Sequence, residues 1–317
     1  MPQSRKNYLL VLLLIWLAIT SAARTSPPPS PVFYKTQNSD EWVRRTLRIQ
    51  RRYNRVLLVD GAAGQTKSVR IRSLELNKQN SAAGVDILYP VNEVYQSLQE
   101  AADAARGGDL VAVMPGTYAG FVMGDKPDAS DGRYIHFKAL GKPGDCIINR
   151  PSSRDPDWMI LLQAAHHVIV EGFNIAGATG PGMKPVGPRA GIMLDGDFGR
   201  SGKQAHHIVI IGNFSHNHLK WGLHSTDTHT VLIQDNLFAL SALEHSAYVS
   251  DGSDNYVIRR NVFFGSRASG LQCNIDSVSS FHELLKNPEL RGYAKEEPTR
   301  AWALGLVKLA TEEVWRE

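Results

Sequence analysis

The sequence predicts an all-β fold, a parallel β-helix, on three observations. Four apolar runs align without gaps: VIVEGFNI from Val168, IVIIGNFS from Ile208, VLIQDNLF from Val231 and YVIRRNVF from Tyr256. Their sixth residues are Phe173, Asn213, Asn236 and Asn261. A second short run follows each, starting at Gly191, Gly222, Ser246 and Gly270, in steps of 31, 24 and 24 residues. A period of roughly 20–30 residues with two or three short strands per unit is the signature of a solenoid. The leucine pattern of a leucine-rich repeat is absent. If each coil sits about 4.8 Å above the last, the recurring Asn becomes a ladder at one turn, each amide bonded to its neighbours along the axis. Asn213, Asn236 and Asn261 are therefore structural residues.

At the start of the chain, Arg5 and Lys6 precede an apolar run of 11 residues, Leu9 to Ile19, which is too short to span a bilayer comfortably. Ser21 and Ala23 are small residues placed for cleavage after Ala23, so residues 1–23 read as a signal peptide and the body as exported. A membrane anchor is the alternative. SPPPSP from Ser26 is a proline-rich linker. Residues 24–85 form a basic linker or entry segment. Between Lys35 and Arg72 stand ten Lys or Arg against three acids. The formal net charge of +4 is thus a local feature, and the rest of the chain is net acidic. No nucleic-acid motif accompanies the basic residues. Within this segment WVRRTLRIQRRYNRVLLV could form a helix running into a strand. Asn92 is placed to cap a helix over 93–106, ended by Gly107 and Gly108. Strands come next at DLVAVM, YIHFKAL and CIIN. The β-helix is expected over 86–280, with its regular coils from about 108 to 276. Residues 281–317 read as two helices, either a cap or the start of an insertion.

Cys146 and Cys273 are the only two cysteines, too few for a disulfide framework. Both read as buried small hydrophobes.

SLQEAADAARGGDLVAVMPGTYAGF, VIVEGFNI and EHSAYVSDGSDNYVIRRNVFFGSRASGLQCNID together resemble the secreted bacterial right-handed parallel β-helix proteins of the pectin-lyase-like superfamily, over residues 86–280. The resemblance implies a right-handed coil. It leaves activity open, because that superfamily holds lyases, hydrolases, epimerases and non-catalytic proteins. Where similar lyases carry Lys and Arg on neighbouring coils, this chain has Asp227 and Ser250. WGLHST from Trp221 stands where similar epimerases carry a YGFDPH-type phrase. Neither catalytic set carries over.

Chemistry is expected on the outer face of the second strands. In register, Met193, His224, Tyr248 and Gln272 form one outward column, and Asp195, Thr226, Ser250 and Asn274 the next. Arg189, Lys220 and Glu244 share a column just before the strands, as do Trp221 and His245. Trp221 would offer a flat face to a sugar ring, and Arg189 and Lys220 would hold a carboxylate, with Asp195 and Glu244 completing the binding groups. His224 or His245 would take a proton, with Tyr248 as acid. The same groups suit binding alone, and exposed solenoid strands carry polar residues in any case.

His206, His207, His216, His218, His224 and His229 fall within 24 residues. His206 and His207 begin a strand, where alternation points them to opposite faces, so no zinc site is expected and no metal ligand is assigned. Calcium is a possible cofactor, with Asp195, Asp197, Asp251 and Asp254 as candidates. The sequence thus reads as a monomeric, secreted, periplasmic or cell-surface protein that acts on or binds polysaccharide. The activity expected is of lyase or hydrolase type on an acidic glycan. The alternative is a non-catalytic glycan-binding module. Neither nucleic acid nor a membrane span after signal cleavage is expected.

Overall fold

The computed structural model describes residues 52–61, 66–72, 86–127, 132–178, 187–196 and 203–274. The leader, the proline-rich linker and the helices expected over 281–317 lie outside the described residues.

Twenty of the described strands stack into three parallel sheets of eight, six and six strands. The first sheet runs Glu93–Tyr95, Val56–Val59, Leu110–Val113, Ile135–Ala139, His166–Glu171, Ala205–Ile211, Thr228–Gln234 and Asp254–Arg259. The second runs from Phe121–Met123 through Trp158–Gln163, Ala190–Asp195, Trp221–Thr226 and Ala247–Val249 to Leu271–Cys273. The third runs from Gly116–Ala119 to Val262–Phe264. The chain visits the sheets in rotation and returns one coil higher each time, which is a parallel β-helix. Inward residues fill the interior in layers: Val168, Ile208 and Val231 from the first sheet, Ile192, Leu223 and Ala247 from the second, and Ile175 and Phe238 from the third, all essentially fully buried.

The asparagine ladder is present. Asn213 Nδ2 donates to Asn236 Oδ1 (3.1 Å), and Asn236 Nδ2 donates to Asn261 Oδ1 (3.0 Å). Their other amide protons go to the carbonyls of Val170 (3.0 Å) and Ile210 (2.9 Å) on the preceding coils. The backbone N–H of Asn213 donates to Asn236 Oδ1 (2.9 Å), and that of Asn236 to Asn261 Oδ1 (2.9 Å). Asn236 therefore uses both protons and both lone pairs of its amide. Just before each ladder position lies a residue of left-handed backbone: Gly172, Gly212, Asp235 and Arg260. Asp and Arg each adopt this region at a cost of about 1–2 kcal/mol, and here they stack in one column as a bidentate pair, Arg260 Nε and Nη2 each 2.8 Å from Asp235.

The N-terminal end differs from expectation. Val56–Val59 lies inside the first sheet, between Glu93–Tyr95 and Leu110–Val113. Part of the basic segment is thus a coil of the solenoid, and Arg55 pairs with Glu93 (2.9 Å) and Asp109 (2.6 Å). Ser68–Arg72 and Asp86–Pro90 form an antiparallel ribbon, whose Val69 and Ile71 pack on Val56, Leu58, Leu110 and Ala112. Asn92 caps no helix. Its Oδ1 accepts from Val56 N (2.7 Å), and the β-prone Val94 and Tyr95 continue as strand. The helix runs Leu98–Ala104, capped by Ser97 with Glu100 in a reciprocal capping box. It buries Leu98, Ala101 and Ala102. Gln99 supplies both bonds a further strand would have made: its Nε2 donates to Val122 O and its Oε1 accepts from Val122 N, both at 2.9 Å. This blunts the edge of the second sheet.

Cys146 is buried, with Sγ near the carbonyls of Leu140 (3.1 Å) and Val113 (3.2 Å), and burial pushes its thiol up to about 11. Cys273 is exposed and free, contrary to expectation.

Replacing Asn236 by Ala is expected to cost about 1–3 kcal/mol, since it leaves buried amide groups on both neighbouring coils without partners. Thermal unfolding checks this, and a midpoint equal to that of the parent would contradict the ladder's role.

Candidate functional site

The second sheet assembles the expected residues. Register pairs Ala190 with Trp221, Met193 with His224 and His224 with Tyr248, so the columns read from sequence are the columns of the fold. Stacking then does more than align them. The His224 ring lies 4.2 Å from the Trp221 ring, and the Tyr248 ring 5.1 Å from that of His224 at an interplanar angle of 6°. Lys220 Nζ sits 5.0 Å from the Trp221 ring centre. The Arg189 guanidinium lies 5.1 Å from the ring of Trp158 and 5.7 Å from that of Trp221. Cation–π attraction holds both cations on this aromatic plate.

Two expectations change. Trp221 is only 7% exposed and already carries cations and an imidazole, so it offers no open face to a sugar. Met193, 6% exposed, is buried rather than in solvent. The reason is the short coil spacing, which lets each long side chain lie on its neighbour's ring.

Protonation follows from the hydrogen bonds. The Ser250 hydroxyl lies 3.1 Å from Ser225 O and 3.2 Å from Asp251 Oδ2, both acceptors. It therefore accepts from His224 Nε2 at 3.1 Å. Among the described residues, His224 Nδ1 and Trp221 Nε1 are buried without a hydrogen-bond partner. Burial, aided by Arg189 and Lys220, pushes the His224 pKa down to about 4, so this ring is neutral near pH 7. His245 Nδ1 accepts from the Ser269 backbone N–H (3.2 Å) and faces the Ser269 hydroxyl at 2.7 Å. In its neutral form the proton is then on Nε2, 3.8 Å from Glu244 Oε2. The His245 and Tyr248 rings lie 5.3 Å apart. Arg189 remains 41% exposed, with Asp157 3.8 Å away.

The acids divide. Asp195 accepts from Gln163 Nε2 (3.1 Å) at the far end of the same strands. There burial, then Asp251 and Asp195, raises Asp227 to about 6. Asp254 belongs instead to the first sheet, paired in register with His229, and Asp197 lies outside the described residues. Among the described residues no three His, Cys, Asp or Glu side chains converge in a way that could hold a metal ion.

A second cluster was misplaced by sequence reasoning. His167 and His207 both have left-handed backbone, with φ of 52° and 53°. Each makes a left-handed turn in step with the neighbouring coils, and the two rings of a pair meet at Nδ1, so His166 and His167 share one face, as do His206 and His207. The alternation rule fails here because it holds for extended backbone, and a left-handed residue departs from it. His206 stacks 5.0 Å from both His166 and His229, and His207 stacks 4.7 Å from His167. Burial and the surrounding imidazoles push His206 down to about 3. His218 is interior, with Nε2 3.0 Å from Ser215 Oγ, and burial pushes it to about 3. Sequence reasoning also missed Trp158. Its pairing with Ala190 lies one coil before the aligned second runs. His216 lies on the third sheet, 3.0 Å from Asn174 Oδ1.

No family model matches the chain, and no curated protein matches it. A search of solved structures finds the crystal structure of pectate lyase Pel9A, at 13% identity and a TM-score of 0.39, with 69% of this chain and 55% of that chain covered. No helix among the described residues is long and apolar enough to cross a membrane.

Stability should fall on acidification. His136, His206, His218, His224 and His229 all have pKa values lowered by burial. Below the unfolded value of about 6.5 the unfolded chain binds protons that the folded chain refuses. The raised Asp227 and Asp254 work in the opposite sense, but they are two groups against five. The urea midpoint is expected to be lower at about pH 5 than at about pH 7, and an equal or higher midpoint would contradict the buried neutral imidazoles.

Proposed function

We propose that this β-helix is an exported protein that binds an acidic polysaccharide along the rim of the second sheet, with Arg189 and Lys220 receiving carboxylates. One observation carries the reading: cations from two successive coils are seated on a shared aromatic plate, on a chain body that is otherwise net acidic. Coils about 4.8 Å apart present these charges as a row along the axis, which suits a polymer with regularly repeated charges. Tyr248, Glu244 and His245 border the row. Trp221 and His224 support it from beneath. Export rests on the leader over residues 1–23, with cleavage expected after Ala23.

A second reading, β-elimination on the same glycan, is favoured by the nearness of His245 to Tyr248. A base near a cation can remove the proton next to a uronate carboxyl while the cation stabilises the enolate; the enolate then expels the glycosidic oxygen at C4, which takes a proton from Tyr248, and a C4–C5 double bond is left.

Pectate, alginate and chondroitin, with a neutral glycan as control, separate these outcomes. Binding to at least one acidic polymer is expected, weakening as salt is raised. Arg189→Ala with Lys220→Ala should weaken it by about tenfold or more, about 1.4 kcal/mol. Equal affinity for the neutral control, or an unaffected double variant, contradicts the proposal. If an unsaturated product appears by its ultraviolet absorbance, Tyr248→Phe should lower turnover by about 10². Binding without any product supports the non-catalytic form.

A further inference from the structure

The stacked histidines of the first sheet lie apart from the glycan rim, and their chemistry is independent of it. At the same corner of four successive coils stand the pairs His166–His167, His206–His207, His229–Thr230 and Asp254–Asn255. The second member of each has left-handed backbone. Thr230 and Asn255 adopt this left-handed turn as well as His does, so the fold does not require histidine there. Two adjacent coils nevertheless carry it at both positions.

The left-handed turn brings the two rings of a pair together so that their Nδ1 atoms meet. The Nδ1–Nδ1 distance is 3.1 Å in His166–His167 and 2.8 Å in His206–His207. With metal–nitrogen bonds of about 2.0–2.1 Å, such a bite subtends roughly 90°, the cis angle of a tetragonal ion. A tetrahedral ion would need the nitrogens farther apart.

The first pair is also prepared by its surroundings. His166 Nε2 lies 2.8 Å from Asp125 Oδ1. A carboxylate only accepts, and Lys203 is bonded to the same carboxylate. His166 therefore donates from Nε2, and in the neutral ring its Nδ1 bears a lone pair. The metal-free pair is an Nδ1–H of His167 bonded to that lone pair. A carboxylate holding the far nitrogen of an imidazole is the usual second partner of a metal-ligating histidine.

We propose that the His166–His167 pair, repeated one coil on by His206–His207, is a two-nitrogen chelating site for a divalent transition ion of tetragonal preference, Cu(II) ahead of Ni(II) and Zn(II). When both rings start neutral, binding moves the His167 proton from Nδ1 to Nε2, and no proton is released. No third His, Cys, Asp or Glu converges with either pair among the described residues. The rings of the two pairs stack 4.7–5.0 Å apart, so a second dication meets repulsion from the first.

The probes are CuCl2, NiCl2 and ZnCl2, titrated against the full chain above about pH 7, where imidazoles are neutral. Calorimetry should give one Cu(II) site and a second at least tenfold weaker, with Zn(II) weaker than either. Electron paramagnetic resonance of the first Cu(II) should be axial, with coupling to two nitrogens. The control variant is His167→Asn with His207→Asn. Asn already occupies this backbone position as Asn255, φ 52°, so the corner is kept, and an unchanged melting temperature verifies it. This variant should bind Cu(II) at least tenfold more weakly and lose the two-nitrogen signal. Unchanged Cu(II) affinity or spectrum in that variant, or Zn(II) binding tighter than Cu(II), would overturn the proposal.

Discussion

The asparagine ladder is the interaction on which the rest of this molecule depends. A parallel solenoid needs every coil to turn at the same point, or the strands above and below lose register. Asn213, Asn236 and Asn261 meet that need by bonding side chain to side chain along the axis and side chain to backbone across it. A neutral amide has two donors and two lone pairs, so it can serve two neighbours at once while buried. A residue of left-handed backbone before each Asn supplies the turn. Where the ladder has no Asn, Phe173 fills the column, and its backbone N–H still donates to Asn213 Oδ1 at 3.0 Å.

Once register is fixed, side chains on different coils become neighbours at about 4.8 Å. This one spacing produces the aromatic and cationic stack of Arg189, Lys220, Trp221, His224 and Tyr248, and also the imidazole stack on the first sheet. It has an energetic cost. Rings packed this closely shed water, so several imidazoles are held neutral. That favours function built on lone pairs and on the few cations at the rim.

The coils from Ala190 to Cys273 were legible because a period of 24 residues and a recurring Asn fix the alignment without further information. The N-terminal end was not, because Val56–Val59 stacks out of chain order, between Glu93–Tyr95 and Leu110–Val113. Asn92 resembled a helix cap, but Ser97 with Glu100 forms the true capping box. The His206–His207 pair was misread, and His166–His167 was not singled out, because His167 and His207 take left-handed backbone without being glycine, which composition does not announce. The columns of the candidate site were readable, whereas the access of each residue was not: Trp221 lies under cations from its own coil and the one before. Ser250 was placed in an outward column, but its hydroxyl is buried and holds the proton arrangement of His224.

The most direct measurement of the ladder's role is residue-resolved amide hydrogen exchange. The backbone N–H groups of Asn213 and Asn236 lie at turns, between strands, and donate to side-chain oxygens on the next coil. If the ladder holds the coils in register, these two amides exchange as slowly as those of Ile210 and Ile233 in the neighbouring strands, with free energies near that of global unfolding. Exchange at the rate of ordinary turn amides, while the strands stay protected, would contradict the account.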